Sequence, residues 1–401
     1  MLRRRHTVLR SSGLLVKLRP GKGRSSRMRR SAATILITAL LAALLHAGVA
    51  AAADTVVLVT PLAYGTHLPG LGAPARQLAK ALKERSGGTL QLDIKEPGDG
   101  TLPHEILDKV SDGKVDAGFS TAGFWAAKLP AASLFGGFPF GPDAAGYLAW
   151  LRQGNGRALY QEMYDQAKVT VHVIPCGFGG AEAGGWFAKA ITSKDDIEGL
   201  RMRIFGLGAR VMSRIGAVPV LVPGSELVEA FKDGKIDAAE VYTPAVDRTL
   251  GLQDAVKRLY MPGWQQPATV FELLINNDRW QALGPERQSV IETTCGERLQ
   301  ATLAESATLQ ASALAALTNQ DGVEVLPWPD DVLDALREAW GEVAREEGVR
   351  DYFFKEVLGD IEKFEAVQGV QNAGAKNPGT ESAPAPPNAP AAAAGQEPAA
   401  R

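Results

Sequence analysis

From residue 54 onward, short apolar runs alternate with longer amphipathic stretches. TVVLVTPL (55–62) predicts a β-strand, and APARQLAKALKERSGG (73–88) predicts a helix that stops at glycine. TLQLDIKE (89–96) alternates apolar and polar positions, so the opening reads β-α-β. Further strands are predicted at VTVHVIPC (169–176), GGWFAKAI (184–191), VPVLV (218–222) and TVFELLIN (269–276). SKDDIEGLRMRIF (193–205) reads as a helical turn leading into a strand, and GARVMSRIG (208–216) as a helix closed by Gly216. A long helical stretch covers 285–317, then VEVLPWP predicts a strand and DDVLDALREAWGEVAREEG (330–348) an amphipathic helix. Strands alternating with helices predict the α/β class.

One unit occurs twice. Residues 112–117 read DGKVDA and residues 233–238 read DGKIDA. Each follows an amphipathic stretch, HEILDKVS or ELVEAFK, and each leads into a short β-prone run, GFST or AEVYT. In both, glycine (Gly113, Gly234) can take the left-handed conformation that ends a helix. Two matching helix–turn–strand units predict two similarly built α/β lobes.

Charge is unevenly spread. Residues 1–30 hold 11 Lys and Arg and no acid; removing them from the 43 basic residues leaves 32 against 45 acids, a net charge of −13. So acidic a body lacks the basic footprint of a non-specific nucleic-acid binder. Residues 32–49 are almost wholly apolar, follow Met28-Arg29-Arg30 and lead to Ala50–Ala53, the pattern of a secretory signal peptide over 28–53 cleaved near Ala53. Residues 1–27 then read as an extended N-region or a start site placed too far upstream. Residues 372–401 contain six prolines and almost no large apolar side chain, so they are expected to be a disordered tail. Two cysteines, Cys176 and Cys295, exclude a disulfide scaffold or a cysteine-rich zinc module. An oxidising compartment permits them to bond, but no spacing pairs them, and they are read as separate buried thiols. Five histidines, none in an H-x-x-x-H arrangement, argue against a histidine metal site. No G-x-S-x-G, P-loop or clear dinucleotide-binding motif occurs, so no enzyme class is supported. Secretion, acidity, paired α/β lobes and no catalytic motif together predict an extracytoplasmic solute-binding protein that closes its lobes over a ligand.

Specific segments sharpen this. GGWF (184–187), GLRMRIFGLGARVMSRIGAVPV (199–220), PGSELVEAFKDGKIDAAEVYTP (223–244) and MPGWQQPATVFELLINNDRW (261–280) occur in the order and spacing of a known family. DGKVDAGFSTAGFW (112–125), LFGGFPFG (134–141) and AREEGVRDYFFKEV (344–357) extend the likeness over nearly all of 54–366. The chain resembles the DctP-family receptors of TRAP transporters, in particular the branch that binds 2-oxo acids and other monocarboxylates. The resemblance implies a two-lobe periplasmic-binding-protein-like fold with hinge-spanning strands and a late C-terminal helix. It divides the chain into lobe I (54–174), lobe II (175–268) and a return across the hinge (269–371), with TVFELLIN as a strand shared by both lobes. It also implies a periplasmic location, an organic-acid ligand and delivery to the membrane subunits of a TRAP transporter. The late helix (344–366) would pack across the back or in a homodimer. The alternatives are a receptor for a signalling system, or a dicarboxylate receptor without metal.

In the strand G-L-R-M-R-I, Leu200, Met202 and Ile204 share one face and Arg203 points the other way. A guanidinium matches a carboxylate bidentately, and the resemblance gives Arg203 the ligand carboxylate. It also implies that Glu240 and the Val241 carbonyl hold a bridging cation, Na⁺ or Ca²⁺, with Glu182 as a further ligand. Two departures bear on specificity. Glu182 stands where the family commonly has glutamine, and the added charge favours a divalent cation. Val241 stands where tryptophan is usual, leaving room that the adjacent Tyr242 could fill and making a larger or branched acid plausible. Trp264 and Phe124 are candidate aromatic walls, Trp186 a weaker one. Gly224 and Ser225 precede a helix, where backbone N–H groups can meet an anion.

Overall fold

The structure, a computed structural model, describes residues 54–368. The sequence readings for 1–27, 28–53 and the tail 372–401 fall outside the described residues. The chain opens with β1 (Val56–Pro61), α1 (Ala73–Arg85), β2 (Leu90–Lys95), α2 (Ile106–Ser111) and β3 (Ala117–Ser120). Helices α3 (Ala132–Gly136), α4 (Ala144–Gln153) and α5 (Gly156–Gln166) lead to β4 (Val171–Gly179). Then come β5 (Gly185–Phe187), β6 (Arg201–Arg203), α6 (Gly206–Arg214), β7 (Val218–Val220), α7 (Leu227–Lys232), β8 (Ala238–Ala239), α8 (Pro244–Thr249) and β9 (Arg258–Met261). The described residues close with β10 (Thr269–Asn276), the long α9 (Asn277–Asn319), broken at the non-helical Gly284, then β11 (Glu324–Pro327), α10 (Asp330–Arg350) and α11 (Tyr352–Gln368).

The strands form two arrays with one plan. In the first, β1 pairs in parallel with β2, reaches β3 through the bridge Leu62–Phe119, and β10 lies antiparallel between β3 and β4. In the second, β6 pairs in parallel with β7 and β8, β5 lies antiparallel between β8 and β9, and β11 extends the edge. TVFELLIN is buried along its whole length as β10, and both its partners belong to the first array. That accounts for the apolar residues on both of its faces, since a central strand has no solvent face. β4 stays whole in the first array, so the chain leaves that array after Gly179 and returns just before Thr269, and these two residues are paired. The two crossovers therefore start from one place.

The repeat is structural as well as textual. α2 and α7 each end on an aspartate, Asp112 or Asp233, with φ −75° and ψ −5°. Gly113 and Gly234 follow at φ 68° and 65°, a conformation that costs glycine little. The second aspartate of each unit clips the neighbouring strand. Asp116 accepts the Val59 N–H at 2.8 Å, and Asp237 accepts the Arg201 N–H at 3.1 Å.

Several expectations change. GGWFAKAI yields only the three-residue β5. The late helix is two helices that meet at Asp351, whose backbone is extended at φ −137° and ψ 110°. α10 packs on α6, where Arg210 and Arg214 meet Glu346, while α11 adds Phe353, Phe354, Val357 and Ile361 to the core beneath α3, α4 and α5. Cys176 and Cys295 are not separate thiols. They form a disulfide between β4 and α9, with Cα atoms 4.2 Å apart in a buried core. The bond arises because α9 lies along β4, a contact made across 119 residues of chain that no local spacing encodes.

Candidate functional site

The site gathers where the crossovers meet the ends of the repeat strands. Glu182 lies on the outgoing crossover and Gln265 and Gln266 on the return. The crossovers are stitched together: Glu182 N–H donates to the Gln266 carbonyl at 3.2 Å, and Gly263 N–H to the Glu182 carbonyl at 2.8 Å. Gln266 Nε2 donates to Glu182 Oε1 at 2.7 Å, and Gln265 Nε2 lies 3.4 Å from the other carboxyl oxygen. Glu240 follows β8 and is only 3% exposed; Glu182 is 4% exposed. The two carboxyl groups are neighbours and act on each other's titration. Burial and then the Glu240 charge push Glu182 well above the usual carboxylate range. Burial also raises Glu240, but Arg203 opposes it, with Nη1 3.6 Å from Glu240 Oε2.

A cavity of about 70 Å³ opens beside this pair. Gly123, Ala126 and Ser133 wall it from the first array, Phe205 and Gly206 from the second, and Glu182, Glu240, Gln265 and Gln266 from between. The Gly123 wall is anchored from behind. Trp125 Nε1 donates to Glu272 Oε1 at 2.8 Å, and the hydroxyls of Tyr160 and Tyr164 donate to Glu272 Oε2 at 2.7 and 2.8 Å. These donors satisfy a carboxyl group fully buried in β10.

The structure thus brings Glu182, Glu240 and Arg203 together. Arg203 ends β6, donates through Nη1 to the Glu240 carbonyl, and lies 5.1 Å from the centre of the Phe205 ring. Phe124 is 37% exposed and tilts against the half-buried Tyr64, their rings 5.6 Å apart. The remaining residues sit elsewhere. Trp264 is buried against Phe140 in a core cluster, and Trp186 is wholly buried. Tyr242 packs its ring into the core beside Gly179 and Thr269, away from the cavity lining. The space beside Val241 is therefore not filled by Tyr242; Val241 itself packs against a second apolar cluster. Gly224 and Ser225 begin a short 3₁₀ turn at the surface.

Gln265, Gln266 and Tyr64 escaped the sequence reading. Q-Q in a loop carries no pattern, and its role depends on the crossovers lying side by side. Tyr64 feels burial first and then the charges of Glu182 and Glu240, which raise its pKa.

The donor set suits a hard cation. Glu182 and Glu240 supply carboxylate oxygens, and Gln265 Oε1 is buried with no hydrogen-bond partner. The carbonyls of Glu240 and Tyr242 are taken by Arg203 and by the Ala183 N–H, whereas among the described residues no donor reaches the Val241 carbonyl. Glu182, Glu240, Gln265 and the Val241 carbonyl each offer oxygen, the donor that Na⁺ and Ca²⁺ prefer. No group of three Asp, Glu, His or Cys residues able to hold a metal occurs among the described residues, so neutral oxygens would complete the set.

Known proteins share this architecture. The family described as bacterial extracellular solute-binding protein, family 7 (DctP), matches residues 69–350. A monocarboxylate 2-oxoacid-binding periplasmic protein of Nostoc sp. is 34% identical over 290 residues, covering 72% of this chain and 79% of its own length. A TRAP transporter solute-binding protein from Bordetella bronchiseptica, crystallised as a mixed-occupancy dimer with calcium and picolinate in one site, superposes with a TM-score of 0.74 at 29% identity. That match covers 79% of this chain and 93% of the other. A periplasmic relative from Pseudoalteromonas atlantica with bound sodium and pyruvate gives 0.73 at 28% identity, covering 79% and 96%. One from Colwellia psychrerythraea with calcium and pyruvate gives 0.74 at 27%, again covering 79% and 96%. With the fold and the family agreeing, the chain belongs to the DctP family and is an extracytoplasmic solute receptor of the TRAP type, not an enzyme.

Proposed function

We propose that the chain captures a small monocarboxylate of the 2-oxo acid type together with a calcium ion and delivers both to TRAP membrane subunits. The observation that carries this reading is the buried Glu182–Glu240 pair beside Arg203 on a cavity of about 70 Å³. Arg203 presents a planar fork to the ligand carboxylate. Once the guanidinium serves that carboxylate, Glu240 shares its counter-charge with a second anion. Two carboxylates cannot both ionise side by side in a buried site without an added positive charge. With Glu182 ionised, the three carboxylates and one guanidinium leave a deficit of two charges, which a divalent cation balances. With Glu182 protonated the deficit is one, which Na⁺ balances. The second glutamate therefore favours calcium and ties its uptake to the loss of one proton from Glu182.

The relatives solved with ligand hold picolinate or pyruvate, which supports a small acid over a bulky one. We further propose export by the signal peptide at 28–53, a mature chain starting near Asp54, and closure of lobes divided after β4 rather than at residue 174. Pairing of receptors through the late helices, as a homodimer, is part of the same proposal.

A thermal-shift screen tests the reading, because a ligand that binds the folded state raises its melting point by mass action. Pyruvate, lactate, succinate and a branched 2-oxo acid are each tested with calcium, sodium or chelator. A shift that needs both a small 2-oxo acid and calcium supports the proposal. A shift with succinate that ignores chelator contradicts it.

A further inference from the structure

Behind the candidate cation site lies a carboxyl group that the binding scheme does not use. Asp247, in α8, is 0% exposed. One of its oxygens, Oδ2, accepts the Trp186 indole N–H at 2.8 Å; the other, Oδ1, accepts the backbone N–H of Tyr242 at 3.2 Å. That N–H belongs to the peptide unit joining Val241 to Tyr242. In a planar trans peptide the N–H and the C=O point in opposite directions. Whatever holds the Tyr242 N–H at its rear therefore aims the Val241 carbonyl forward. The flanking peptides are fixed separately, since Arg203 takes the Glu240 carbonyl and Ala183 N–H takes the Tyr242 carbonyl at 2.7 Å. Among the described residues the Val241 carbonyl alone of the three receives no donor.

We infer that Asp247 is a positioning residue that orients the Val241 carbonyl as a cation ligand, with Trp186 holding Asp247 in place. The inference rests on the proposed cation site. It assigns a task to two buried residues that touch neither ligand nor cation. A carboxyl oxygen accepting that N–H also polarises the peptide and makes its carbonyl oxygen a stronger donor. The G-G-W-F tryptophan thereby acts at one remove, through its ring nitrogen, rather than as a wall of the cavity. Outer-shell partners of this kind change metal affinity by about 10–100-fold when removed.

The test is calorimetric titration of calcium into the full chain and into Asp247→Asn, Asp247→Leu and Trp186→Phe, with the calcium-free melting point recorded for each. Asparagine keeps one acceptor oxygen for the Tyr242 N–H, loses the charge and sets its NH₂ against the Trp186 N–H; leucine loses both acceptors. The expected result is a calcium affinity about tenfold weaker in Asp247→Asn and about 100-fold weaker in Asp247→Leu. Trp186→Phe, the mildest change, weakens calcium about threefold and covers the case in which an Asp247 variant fails to fold. Pyruvate affinity returns to the wild-type value when calcium is saturating, which a general structural defect would not allow. Equal losses in Asp247→Asn and Asp247→Leu, or calcium affinities within twofold of wild type in all variants, overturn the inference. If the wild-type chain itself takes up no calcium, the cation reading fails first, and that outcome is distinct from either of these.

Discussion

The two D-G-K-h-D-A units are built alike and put to different uses. Each caps a helix with the same φ and ψ, turns through a left-handed glycine, and clips the next strand with its second aspartate. Past that point they diverge. β3 continues for four buried residues into a 3₁₀ turn, Ala122–Trp125, that is locked by Trp125 to Glu272 and offers the cavity small residues. β8 stops after two residues, and the chain peels away to present Glu240 and the Val241 carbonyl. The lesson is that the repeat specifies scaffold and the residues just after it specify chemistry. In the proposed site the first array contributes shape, and the end of β8 and the crossovers contribute charge.

That comparison can be broken in several places, and the largest effect belongs to the scaffold. Replacing Cys176 and Cys295 by serine releases β4 from α9. A bond closing a loop of 119 residues stabilises by about 4–5 kcal/mol in the chain-entropy account. Denaturant midpoints with and without reductant are expected to show that loss, with pyruvate affinity unchanged in the protein that remains folded. Next in size is Arg203→Ala, expected to weaken 2-oxo acid binding by roughly 100-fold, about 3 kcal/mol, while calcium binding persists. Removing a lobe I feature such as Phe124 should cost far less, and titration of both variants checks the division between charge and shape.

Glu182→Gln sharpens the second lobe's part. Losing one ligand charge is expected to weaken calcium roughly tenfold and leave sodium little changed, which competition titrations would resolve. The pH dependence follows from the same acids. Glu182 is held above the usual carboxylate range, and burial pushes Asp247 up to about 7. These two acids therefore bind more protons in the folded calcium-free protein than in the unfolded chain between about pH 4 and about pH 7, so their contribution to its stability should fall as pH rises through that window. Calcium should reverse the fall, and its affinity should climb with pH; melting curves at pH 5, 6 and 7 decide. On the scaffold side the comparison rests on the twin aspartates. Asp116→Ala is expected to cost about 2 kcal/mol and Asp237→Ala about 1 kcal/mol, because Asp116 is 19% exposed and Asp237 37%. Chemical denaturation of the pair tests whether the repeat carries equal weight in both lobes.

What the sequence disclosed follows a physical line. Caps, glycine turns and buried strands depend on near neighbours, so β1, α1, β2, both repeat units and the helical stretch of α9 were legible. Arg203, Glu182 and Glu240 could be named from family likeness and strand alternation, and the fold draws them together. The missing parts all depend on distant contacts. The Cys176–Cys295 bond needs α9 laid along β4, Gln265 and Gln266 need the two crossovers side by side, and Asp247 needs the back of the Val241 peptide. Trp264 and Tyr242 misled because an aromatic flanking a site motif looks the same whether it walls a cavity or fills the core behind it.

The most direct measurement is calorimetric titration of pyruvate into the protein with calcium and again with chelator, repeated on Arg203→Ala. The account predicts binding only when calcium is present, and roughly 100-fold weaker binding in the variant. Equal pyruvate affinity in calcium and in chelator would contradict it.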